Sequence, residues 1–170
     1  MSDYILSQQT YPQPYFMGFV FHSFTAMEEI NVPLNSVFNE PFSSRISALF
    51  NGSLSGEAIN EQLTTSINDL FTEDFLLHRN EDPDFASINQ ALGSNSVEPW
   101  NVTTPTYLIH STDDELVPIE ISSSIYQALL AAGTSNSTLE LIAIPGYSHT
   151  EGIIPAGLIS LQWFLDIKQD

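Results

Sequence analysis

Cysteine is absent from this chain, so it has neither a disulfide framework nor a thiol nucleophile. Fixed positive charge is nearly absent as well: Arg45, Arg79 and Lys168 face 21 acidic residues, for a formal charge of -18. Phosphate backbones are gripped by clustered Lys and Arg, and that shortage sets nucleic acid aside as a partner. Such a balance suits solubility in a salty or extracellular medium, where screening confines self-repulsion to about one Debye length, ~8–10 Å. There is no apolar run of roughly eighteen residues; the stretch from Tyr15 to Phe24 is interrupted by Gly18, His22 and Ser23, so no membrane span is expected. The start Met1-Ser2-Asp3 is acidic where a signal peptide carries a basic n-region, so none is expected there.

What is present is enough apolar material for a folded domain: hydrophobic residues make up 42% of 170 residues and aromatics 11%. Sequons at Asn51, Asn101 and Asn136 fall in a chain so rich in Ser, Thr and Asn that chance accounts for them.

The texture divides the chain into residues 1–100 and 101–170. The first part reads as short helices punctuated by Pro, Asn and Gly, with no alternating strand pattern. An aromatic helical segment follows Tyr11-Pro12-Gln13-Pro14 and extends to about Ile30. A second helix has Pro41 in its first turn and ends near Phe50 at Asn51-Gly52. A third is expected from about Gly56 to Leu63, with turns carrying the chain past Leu70, Phe75 and Leu76. Asp82 as N-cap, Pro83, the stripe Phe85, Ile88, Leu92 and the terminator Gly93 define a further helix.

From Asn101 strands and helices alternate. Thr106-Tyr107-Leu108-Ile109-His110 and Leu139 to Ile144 are β-rich runs. Between them Pro118 to Ala132, with Ile121, Ile125 and Leu129 on one face, reads as a helix stopped by Gly133. A last helix is expected over Gly157 to Ile167, with Leu158, Leu161 and Leu165 aligned. This order predicts a βαβα segment of a parallel sheet. A parallel pair alone leaves apolar faces and strand edges uncovered, so the remaining strands must come from a companion segment, a partner chain or a homodimer.

Functional groups of such sheets lie in loops beyond the carboxyl ends of the strands. Two candidates stand there: Asp114 in His110-Ser111-Thr112-Asp113-Asp114-Glu115-Leu116-Val117-Pro118, and His149 in Pro145-Gly146-Tyr147-Ser148-His149. An imidazole titrates near working pH and can relay a proton, while a carboxylate beside it fixes its tautomer. Asp113 is the nearest competitor for the acid.

Asp-x-x-Val-Pro after one strand and Gly-x-x-His after the next resembles the acid and base loops of α/β-hydrolases, whose triad order is Ser, Asp, His. The family register favours Asp114, and Ser111 departs from the glycine usual after the strand-end histidine. Tyr11 to Phe16 and Phe38-Asn39-Glu40-Pro41-Phe42 resemble the helical cap inserted in some bacterial hydrolases and secretory lipases. The resemblance therefore implies a partial α/β-hydrolase fold: a lid-like helical region over 1–100, then the C-terminal segment over 101–170. It also implies a secreted or periplasmic parent protein of the esterase or lipase kind, acting on a small-molecule ester or lipid. Asp114 and His149 would be catalytic, and Tyr15, Phe16, Phe19 and Phe24 would line an acyl pocket.

The nucleophile elbow Gly-x-Ser-x-Gly does not occur. Gly52-Ser53-Leu54-Ser55-Gly56 places leucine at its centre and follows a helix, so it reads as a helix connection. Acid and base without a nucleophile leave two readings open. The chain is a fragment of a serine hydrolase, inactive alone, or a non-catalytic, self-associating module derived from one. His22, His78 and His110 share no metal-ligand spacing, and the acidic clusters match no calcium loop, so neither metal nor cofactor is expected.

Overall fold

The computed structural model describes residues 2–168. Two compact units divide the chain, one spanning Ser2–Ser96 and one beginning at Val97, slightly before the change of texture at Asn101.

The first unit is helical: α1 (Ser2–Leu6), α2 (Tyr15–Ala26), α3 (Leu34–Val37), α4 (Phe42–Leu49), α5 (Gly56–Asn60), α6 (Ile67–Leu70), α7 (Glu73–His78) and α8 (Ala86–Ser94). Most are too short to persist by propensity, so packing and caps hold them. Ser55, Ser66 and Thr72 each accept the amide of the residue three further on, giving α5, α6 and α7 defined starts. Their apolar residues converge on an aromatic core in which Phe38, Phe71, Phe75 and Phe85 are fully buried. Rings meet edge to face at 5.1 Å for Phe21 and Phe38 and at 5.4 Å for Phe75 and Phe85.

Several expected boundaries move. The aromatic helix stops at Ala26, not near Ile30. The stretch past Leu70 and Phe75, expected as turns, contains α6 and α7. The helix begun by Asp82 opens as a 3-10 turn, Pro83–Phe85, which the Asp82 carboxylate caps by accepting the Asp84 amide at 2.8 Å. Gly93 does not terminate it; α8 continues to Ser94, and Ile88 and Ala91 are its buried residues.

The second unit contains β1 (Thr106–Ser111), α9 (Ile119–Ala131), β2 (Leu139–Ile144) and α10 (Ile153–Ile167). The strands pair in parallel from Thr106 with Leu139 to Ser111 with Ile144. Pro118 opens α9, and Gly133, at φ +101°, turns the chain back toward β2 in a backbone conformation that glycine adopts without strain. Leu129 buries the inner face of α9, which packs on both strands. Helix α10 begins four residues before the expected start at Gly157, since Pro155 lies in its first turn, where an amide has no intrahelical partner.

That last helix packs on β1, with Trp163 stacked on Tyr107 at 4.5 Å. It has no buried residue, and Leu158, Leu161 and Leu165, the aligned apolar set, are 63%, 57% and 47% exposed. Both strands are largely half-exposed. The second unit thus leaves the apolar side chains of α10 exposed to solvent, a feature that marks surfaces made to be covered.

Candidate active site

Because Ser111 pairs with Ile144, β1 and β2 end at one level, and the Thr112 amide still reaches the Ile144 carbonyl at 2.9 Å. The two following loops therefore leave from a common rim. There Nδ1 of His149 lies 2.8 Å from Oδ2 of Asp114. An ionised carboxylate only accepts, so Nδ1–H donates, and in the neutral ring the lone pair resides on Nε2, on the side away from the acid. The Asp114 side chain is 8% exposed and that of His149 is 43% exposed. A largely buried carboxylate thus orients an imidazole that solvent can reach.

Asp114 is held by more than the histidine. Its Oδ1 accepts the amides of Leu116 at 2.9 Å and Val117 at 2.8 Å, a tight turn that fixes the carboxylate plane. Burial alone would raise its pKa; the Val117 amide, the His149 ring and the Leu116 amide outweigh that, leaving the group below the ordinary carboxylate value.

The histidine loop is tied to the acid loop at several points. Asp113 Oδ2 accepts the Gly146 amide at 2.6 Å, and this bond, followed by the Thr112 hydroxyl, lowers the Asp113 pKa. Glu115 Oε2 accepts the amide of His149 at 3.1 Å. The Ser111 hydroxyl donates to the Tyr147 carbonyl. Glu151 Oε2 takes both the amide and the hydroxyl of Ser148, at 3.1 and 2.7 Å, which lowers the Glu151 pKa. Gly146 sits at φ +84°, so the turn itself requires glycine there. Asp113, the competitor for the acid role, is therefore a loop clamp with its carboxylate on Gly146 and Thr112, and Asp114 is the residue that meets His149.

One neighbour of this pair is not singled out by the sequence. His110, the strand-end histidine of the acid-loop motif, has a side chain 12% exposed with Nε2 3.3 Å from Asp114 Oδ2. A strand-end histidine four residues before the acid was the available signal.

The four aromatic residues expected to line a pocket belong to the helical unit. Phe16 and Phe19 are 41% and 54% exposed, Tyr15 packs on Phe16 at 4.2 Å, and Phe24 lies partly buried against the core. None of them borders the cavity of about 480 Å³ in that unit, which Asn31, Val32, Ser36, Asp74, Asp84 and Phe85 help to line. Among the described residues no cluster of His, Asp or Glu is arranged to hold a metal ion, and no helix is long and apolar enough to cross a membrane.

No protein-family model matches the chain, and no curated protein does. Solved structures do. A candidate hydrolase from Legionella pneumophila is similar over 99% of this chain with a TM-score of 0.82 at 13% identity. The rice cell wall degrading esterase LipA from Xanthomonas oryzae is similar over 91% with a TM-score of 0.67 at 19% identity. The chain spans 45% of the first and 40% of the second. At such identities the likeness defines architecture: this chain has a partial α/β-hydrolase fold.

Proposed function

We propose that this chain is the acid-and-base portion of a serine hydrolase of carboxylic esters, esterase- or lipase-like, whose nucleophilic serine lies in a segment outside it. The observation that carries the reading is the 2.8 Å contact between Asp114 and His149, formed by loops leaving the same end of a parallel sheet. Nε2 of His149 would take the proton of a serine hydroxyl as its oxygen bonds to the ester carbonyl carbon. It would then pass that proton to the departing alkoxide as the carbon–oxygen bond breaks. Asp114 would hold the ring in the required tautomer and stabilise the imidazolium. Water would release the acyl group by the same relay in reverse.

The uncovered surface supports a companion segment. Helix α10 exposes Ile153, Ile154, Leu158, Leu161 and Phe164 by more than half, and a larger sheet with its own helices would cover both it and the strand edges. The solved relatives, more than twice as long as this chain, have room for such a segment. Residues 1–100 would serve as the lid-like cap, with Tyr15, Phe16, Phe19 and Phe24 lining the acyl pocket of a small ester or lipid; exposure of Phe16 and Phe19 leaves them free for that use. An extracytoplasmic site of action is in keeping with the acidity of the chain and with a neighbour that degrades a plant cell wall.

The test begins with the gene sequence preceding the Met1 codon, where the proposal expects Gly-x-Ser-x-Gly at a strand-to-helix turn. The chain by itself should show no hydrolysis of p-nitrophenyl butyrate that depends on His149. Turnover by the isolated chain that disappears in His149→Ala would overturn the division of the triad.

A further inference from the structure

We infer that His110 is a positioning residue for the acid, clamping the Asp114 loop to the end of β1 from a ring whose tautomer Ser122 fixes. The inference rests on the reading of Asp114 and His149 as an acid–base pair and assigns the pair a support. Nε2 of His110 lies 2.7 Å from the Val117 carbonyl, an atom that only accepts, so the proton is on Nε2. Nδ1 then carries the lone pair in the neutral ring, and the Ser122 hydroxyl, 2.6 Å away on α9, donates to it. Both ring nitrogens are thus used, and the ring cannot turn over without losing a bond at each.

This arrangement spans three elements. The imidazole starts on β1, is oriented by α9, and grips the loop between them at Val117. That residue's own amide is one of the two bonded to Asp114 Oδ1. The same Nε2–H also faces Asp114 Oδ2 at 3.3 Å, the oxygen that His149 uses. Asp114 is consequently held on Oδ1 by the turn and flanked on Oδ2 by two imidazoles, so its reach toward His149 depends on where His110 keeps residue 117. A buried ring that merely filled space would need neither the hydroxyl nor the carbonyl partner.

The Nδ1 proton of His149 reports the pairing without any need for turnover. Its solvent exchange can be followed in the full 15N-labelled chain by proton–nitrogen correlation, where the other histidines are His22, His78 and His110. The exchange rate is expected to rise about tenfold in His110→Phe. In His110→Gln, which keeps a donor near the Nε2 position, it should return close to the original value. Ser122→Ala, which removes a single oxygen, should raise the rate severalfold, and it decides alone if His110→Phe does not fold. Unchanged exchange in folded His110→Phe, or in Ser122→Ala when only that variant folds, would overturn the inference. Asp114→Asn separates the two levels: unchanged exchange there removes the acid–base pair itself. A rise there with none in the His110 variant removes only the role of His110.

Discussion

Ser111 and Ile144 are register partners at the ends of the two strands, and the loops that follow them meet at that rim. Ser111 adds a second link, because its buried hydroxyl donates to the Tyr147 carbonyl and accepts the Asp113 amide at 3.3 Å. The α/β-hydrolase resemblance places glycine here; in this chain the hydroxyl ties the acid loop to the histidine loop.

Ser111→Ala is therefore expected to cost about 1–2 kcal/mol, since it removes a buried hydroxyl that bonds both the Tyr147 carbonyl and the Asp113 amide. Urea unfolding of the two proteins measures the difference, and equal midpoints would show that the Tyr147 carbonyl finds another donor.

The depressed pKa of Asp114 gives stability a defined pH dependence. A carboxyl whose folded pKa lies below its unfolded value of about 3.9 stabilises the native state fully above that value. Its contribution is lost as pH falls through the folded pKa. The advantage of the native protein over Asp114→Asn should accordingly shrink as pH is lowered below about 4. Denaturation curves recorded across that acid range test this; a gap that stays constant would mean the ionised form gains nothing on folding.

Phe71, fully buried among Phe21, Phe38 and Phe75, should be the costly aromatic of the helical unit. Phe71→Ala is expected to lose about 3–5 kcal/mol. Phe16→Ala, at a site 41% exposed, should lose much less and retain the fold. Comparable losses for both would contradict the placement of the core.

Association should follow from α10. Light scattering of the isolated chain is expected to rise with concentration, and Leu158→Glu combined with Phe164→Glu should suppress it, both side chains being more than 60% exposed. A strictly monomeric native chain with a cooperative melt would contradict the uncovered sheet and helix.

The parallel pair and its crossover were legible because each element carried its own punctuation. The β-rich runs Thr106 to His110 and Leu139 to Ile144 are bounded by polar turns, and Pro118 and Gly133 mark the ends of α9. Helices α3, α6 and α7 were not legible, because four to six residues carry too little periodicity and their existence depends on Ser66, Thr72 and the Phe71 core. The meeting of Asp114 with His149 could be expected from loop position and motif. The His110 clamp could not, since it depends on α9 bringing Ser122 beside a ring on β1.

The most direct test of the central claim is kinetic, on the chain expressed together with the sequence encoded upstream of it. Ester hydrolysis should fall by about 10³–10⁴-fold in His149→Ala, with Asp114→Asn similarly impaired and KM changed little in either. Full activity in His149→Ala would contradict the account.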